Sequence, residues 1–167
     1  SVLTDLLFIP LAFALYFALK GINKNMMLIG IAFVLLFVIL DLTLTWTNYA
    51  SIIVLSGQYT SAVDEVQRAV IVAAATYPAL MLESTLLFVY NTLTLSIGIL
   101  MTGLVMLKGV FNKTTAYLGI APGVFGIIAV FGPLLISALS NTIILASLLT
   151  TLWVMFAGFR LFKLGSG

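Results

Sequence analysis

Residues 26–50, MMLIGIAFVLLFVILDLTLTWTNYA, carry one charged side chain in 25 positions. The hydrocarbon core of a bilayer is about 30 Å thick, and about 20 apolar residues cross it as a helix. A stretch like this limits the fold more than any other feature of the chain. Five stretches have this character, at about 2–19, 26–50, 84–107, 116–134 and 142–160. Only 7% of all residues are charged, against about 25% in a soluble domain. A surface so poor in charge does not stay dissolved, so the solvent must be lipid. The expected fold is an all-α membrane protein, with one helical domain over 1–164 that holds a bundle of five transmembrane helices.

The breaks between spans carry turn and charge signals: KGINKN at 20–25, SGQYTSAVDE at 56–65 and KGVFNKTT at 108–115. The last break falls near Gly132-Pro133 or Ser140-Asn141. Lys20 and Lys24, Lys108 and Lys113, and Arg160 and Lys163 then fall on one side, six of the seven basic residues. The positive-inside rule makes that side the cytoplasm. The expected location is the cell membrane, multi-pass, with the C-terminus cytoplasmic. The chain starts at Ser1 and not at Met, so a preceding segment is expected either to be missing or to have been removed. The closing GSG, 165–167, has the composition of a linker remnant and is set aside.

VQRAVIVAAATYPALML, 66–82, is apolar enough to suggest a sixth span. Counting it would move Lys108 and Lys113 to the other side and break the charge rule. Ser61-x-x-Asp64 before it reads as a capping box. The expectation is an outer interfacial helix over about 62–82 that bends near Pro78 into the third span. Trp46, Tyr49, Tyr59 and Tyr77 read as the outer aromatic belt.

Three segments carry a resemblance. LTDLLFIPLAFALYFALKGINKNMMLIG (3–30), SGQYTSAVDEVQRAVIVAAATY (56–77) and GLVMLKGVFNKTTAYLGIAPGVFGII (103–128) are similar to parts of a large family of bacterial and archaeal integral membrane proteins, a domain of unknown function. The resemblance implies a multi-span helical fold and no catalytic residues. Members of that family usually have about one more helix before this start. The resemblance thus implies a missing upstream helix and a cytoplasmic true N-terminus.

Polar residues inside the spans are the candidates for function. Asp5 lies fifteen residues above Lys20, Asp41 fifteen above Met26, and Asn91 sixteen before Leu107. At about 1.5 Å per residue all three share one layer, roughly 22–24 Å from the basic end. Asp41, Thr45 and Asn48 fall on one helical face by i, i+4, i+7 spacing. Glu83 lies above Asn91. Arg68, the only basic residue on the outer side, is a candidate partner for Glu83 or Asp41, or for a lipid phosphate; a solvated arginine is the simpler reading. A carboxyl in lipid is destabilising by several kcal/mol unless it is paired, protonated or hydrated. Asp41 and its neighbours therefore read either as an outward-facing polar pocket for a proton, cation or small polar ligand, or as hydrogen-bonded glue between helices. Gly119, Gly123 and Gly126 form an i, i+4, i+7 stripe that lets two helices approach closely.

The chain contains no cysteine or histidine. That excludes thiol catalysis, disulfides, Cys/His zinc sites and His-ligated haem. No cofactor and no metal site is expected. A Walker motif, HExxH, GxSxG, an arginine ladder and a potassium-filter motif are all absent from the sequence. No basic patch with interleaved aromatics occurs, so nucleic acid is not an expected partner. Two functions remain in view: a small binding or transport protein, expected as a homodimer, and a non-catalytic accessory subunit of a larger membrane complex. A membrane enzyme acting through carboxylates is the least supported reading.

Overall fold

The computed structural model describes residues 2–165. The chain is helical throughout, with no strand among the described residues. Helix α1 covers Val2–Leu40, a π-helical segment covers Asp41–Trp46, and α2 covers Thr47–Ser61. Then follow α3 (Glu65–Leu82), α4 (Thr85–Met106), α5 (Lys113–Phe131), two 3-10 turns (Gly132–Leu134 and Ser137–Asn141) and α6 (Thr142–Gly165). Four continuous helical stretches are long and apolar enough to cross a membrane: Val2–Ser61, Glu65–Met106, Lys113–Leu134 and Ser137–Gly165.

The first of these is folded back on itself. Asn23 has an extended backbone (φ −152°, ψ 90°) inside α1. Its Oδ1 accepts a hydrogen bond from the Met26 N–H at 3.0 Å, which caps the start of the second arm. The arms, 2–22 and 24–40, run antiparallel. The rings of Phe8 and Phe37 meet edge-on at 6.0 Å, and Trp46 reaches Asp5. Polar KGINKN gives the chain a place to turn where its backbone can meet water.

The helix that leaves Asn23 runs to Ser61, eleven residues beyond the expected end of the second span. It pairs with α3 across a turn at 62–64. Asp64 caps α3 by accepting the Gln67 N–H at 2.7 Å. Gln67 Oε1 in turn accepts the Val63 N–H at 3.0 Å. The helix expected over 62–82 thus packs against α2 as one arm of a hairpin. It also passes straight through Pro78; the break comes at Glu83–Ser84, where Ser84 turns extended (φ −64°, ψ 124°).

Helix α4 is the centre of the bundle, flanked by α1 on one side and α5 on the other, with α6 beyond α5. Small residues bring these helices together. A Cβ added to Gly98 would lie 2.9 Å from the Gly30 carbonyl oxygen. One added to Gly103 would lie 2.8 Å from the Ile120 backbone nitrogen. Gly119, Gly123 and Gly126 face Trp153 and Gly103, Leu100, and Ser96 in turn. No side chain fits in such gaps, and close packing of this kind can hold helices together where the surroundings supply no hydrophobic drive. The main apolar core sits toward the Asn23 end, where Leu19, Met27, Met106 and Ala116 are fully buried. At that end Gly109 faces Leu19 and Ile22, and Arg160 donates to the Val110 carbonyl at 3.4 Å. Lys20, Lys24, Lys108, Lys113, Arg160 and Lys163 therefore belong to segments that gather at one end of the bundle.

Candidate functional site

The carboxyl cluster is built where the helix widens. The segment DLTLTW at 41–46 is π-helical. Thr43 Oγ1 donates to the Ile39 carbonyl at 2.6 Å. Thr47 Oγ1 donates to the Leu42 carbonyl, five residues back, at 3.2 Å. Hydroxyls that bond back to the helix compete with its own ladder and loosen it. The wider turn lets Asp41, Thr45 and Trp46 all reach neighbouring helices, a device found often at functional sites.

Two donors from other elements meet two acids here. Asn91 Nδ2, from α4, donates to Asp41 Oδ1 at 2.7 Å and to Thr45 Oγ1 at 3.1 Å. Trp46 Nε1 donates to Asp5 Oδ2 at 2.6 Å. Trp46 belongs to the same π-helical segment as Asp41, so its bond to Asp5 brings the two acids into one neighbourhood. Asp5 is only 7% exposed, while Asp41 and Asn91 are half-buried. The structure thus brings Asp5, Asp41, Asn91 and Thr45 into one cluster.

The other candidates stand elsewhere. Asn48 Nδ2 donates to the Leu44 carbonyl of its own helix at 2.6 Å. Arg68 pairs with Glu65 at 2.9 Å and lies over the Tyr59 ring. Glu83 is exposed at the end of α3, and its backbone N–H bonds to Ala79. Trp46 joins the cluster, although its sequence context marks it only as part of the aromatic belt. On a regular helix its spacing from Asp41 points it away from the carboxyl face, and the π-helical turn brings it back. Among the described residues no group of three acids gathers to hold a metal ion.

A cleft of about 490 Å³ adjoins the cluster, between the first arm of α1, α4 and α6. Asn91 lines it, as do Phe8 and Leu11 of α1 and Ser147, Thr150 and Val154 of α6. The helices that frame it converge on the buried core, where Leu15 and Leu19 share a cluster with Trp153 and Ala157.

No family model, no curated protein and no solved structure matches the chain.

Proposed function

We propose that this is a small multi-pass membrane protein that binds and exchanges a proton at the Asp5–Asp41 pair. Two carboxylates that share a site disfavour each other's charge, and a shared proton relieves the repulsion. The donors Asn91 Nδ2 and Trp46 Nε1 face the pair and stabilise the single charge that remains. A bare cation needs acceptors around it, whereas these carboxyl oxygens are met by N–H groups. Of the ligands a polar pocket could take, a proton fits this surrounding best. The observation that carries the reading is the gathering of two acids, from different arms of one helical hairpin, in a single cluster with the Trp46 and Asn91 donors.

The proposed topology has five crossings: the two arms of α1 (the second extended through the π-helical segment), α4, α5 and α6. The six basic residues gathered at one end support placing that end, and the C-terminus, in the cytoplasm. The α2–α3 hairpin then projects on the outer side, in place of the single interfacial helix expected over 62–82.

Tryptophan emission tests the proposal. With Trp153→Phe as background, Trp46 is the sole tryptophan. Its emission is expected to shift when the proton leaves the pair on raising pH, and the shift should vanish in Asp5→Asn. Emission that ignores pH, or a shift retained in both Asp5→Asn and Asp41→Asn, would sink the reading.

One observation favours a second reading, an accessory subunit. The α2–α3 hairpin leaves large apolar side chains uncovered, with Ile53 70%, Val66 75% and Val63 91% exposed. A contiguous apolar surface outside lipid marks a contact site, for a second copy or a larger subunit. Copurification from native membranes with a stoichiometric partner protein would favour it; a monodisperse single-chain species would not.

A further inference from the structure

We infer that the cleft between α1, α4 and α6 is a binding site for a neutral single-chain amphiphile, with its head at the Asn91 level and its alkyl chain toward Gly158. The inference stands apart from the proton reading, because neither Asp5 nor Asp41 lines the cleft.

Three features select this ligand. First, none of the 16 lining residues is charged. A charged head would enter a low dielectric with no counter-charge, which is strongly unfavourable. Second, the lining is graded. On α1 Thr4 gives way to Leu7 and Leu11, and on α4 Asn91 and Thr92 give way to Leu95; on α6 Ile143, Ala146 and Ser147 come first, Thr150 and Thr151 lie midway, and Val154, Met155 and Gly158 line the far end. From Ile143 to Gly158 the cleft follows α6 for about 22 Å, a shape for an extended chain. Its 490 Å³ is the size of a drug-like ligand's pocket, one chain with a small head rather than a two-chain phospholipid.

Third, the polar end has hydrogen-bonding capacity to spare. Elsewhere in these helices, hydroxyls turn back onto their own backbone, as Thr43, Thr76, Thr94, Thr102 and Thr151 do. Thr92 and Thr150 make no such bond among the described residues. Asn91 Oδ1 is buried with no partner, while its Nδ2 is committed to Asp41 and Thr45. A head bearing hydroxyls can exchange bonds with the two threonines. An unmet polar group in lipid is destabilising, so the pairing favours binding.

The test uses a diazirine analogue of monoolein, a neutral single-chain glyceride, in phosphatidylcholine nanodiscs holding the full chain. After illumination the label should map to α6 and α1 around Met155, Val154 and Leu11. Excess monoolein should compete it away, and excess lysophosphatidylcholine should not. Gly158→Leu should cut labelling about tenfold or more by filling the tail end; an added Cβ there meets nothing within 4 Å, so the fold tolerates it. Thr150→Val, which keeps the shape and removes a hydroxyl, should weaken labelling about two- to tenfold. Labelling spread evenly over lipid-facing residues, competition by lysophosphatidylcholine equal to that by monoolein, or full labelling of Gly158→Leu would each overturn the proposal.

Discussion

Gly123→Leu is expected to leave little folded protein. A Cβ at position 123 would lie 2.6 Å from Leu100 Cβ and 2.8 Å from the Ser96 carbonyl oxygen. Neither atom is the tip of a flexible side chain, and the second is backbone, so α4 and α5 have to separate. Overpacking a core destabilises by about 1–3 kcal/mol where neighbours can yield. Here two helices must move, so the upper end of that range or more applies. Separation also strains the Gly103 and Gly119 approach on the same interface, where a Cβ at 103 would meet Ile120 nitrogen at 2.8 Å. Against a total stability of about 5–15 kcal/mol, this is a large fraction. Thermal melting and the yield of monodisperse protein in detergent read the effect. Gly21→Leu, where an added Cβ meets nothing within 4 Å, is the control and should melt close to wild type. Melting of Gly123→Leu at the wild-type temperature would mean that α4 and α5 do not pack as described.

The second large effect is at Asn91. Asn91→Leu removes the Nδ2 donor that Asp41 and Thr45 share. One hydrogen bond between membrane helices contributes only about 0.6 kcal/mol on average. Leaving a polar partner buried and unmet is more destabilising, by about 1–3 kcal/mol. The unmet partner therefore decides the outcome, and Asn91→Leu should be more destabilising than the bond itself suggests. Asp41→Leu together with Asn91→Leu removes both sides and should recover much of that loss. The double variant should nonetheless have lost proton exchange at the pair. A double-mutant cycle by thermal melting, run beside the Trp46 emission titration, separates the two roles. Strictly additive losses would show that Asn91 and Asp41 are not coupled.

Much of this was legible in the residues. Charge-poor runs of about 20 residues marked an all-helical chain with helices of membrane length, and KGINKN marked the turn at Asn23; of the five separate spans expected, the structure has four continuous helical stretches of that length. Counting residues from the basic ends put Asp5, Asp41 and Asn91 at one depth, and the three do share a cluster. Depth counts place a residue along an axis and not around it, however. Asn48 shares the Asp41 face on a regular helix, yet in the structure it bonds to its own Leu44 carbonyl. Arg68 has its partner one turn away in Glu65, so no distant acid is needed. SGQYTS at 56–61 reads as a loop, yet it is helical and forms the last turns of α2, which pairs with α3. Pro78 does not end α3, and the chain breaks only at Glu83–Ser84. The π-helical turn had a local cause in Thr43 and Thr47, whose hydroxyls bond back to the helix, but its effect on Trp46 depends on where α1 sits.

The most direct test of the central claim is the carboxyl infrared spectrum of the protein in nanodiscs, followed from about pH 4 to about pH 9, for wild type, Asp5→Asn and Asp41→Asn. The shared-proton account predicts a protonated-carboxyl band that disappears as pH rises, and that changes in position or midpoint when either acid is replaced. A band that persists unchanged across the range, or one that responds to a single acid and ignores the other, would contradict it.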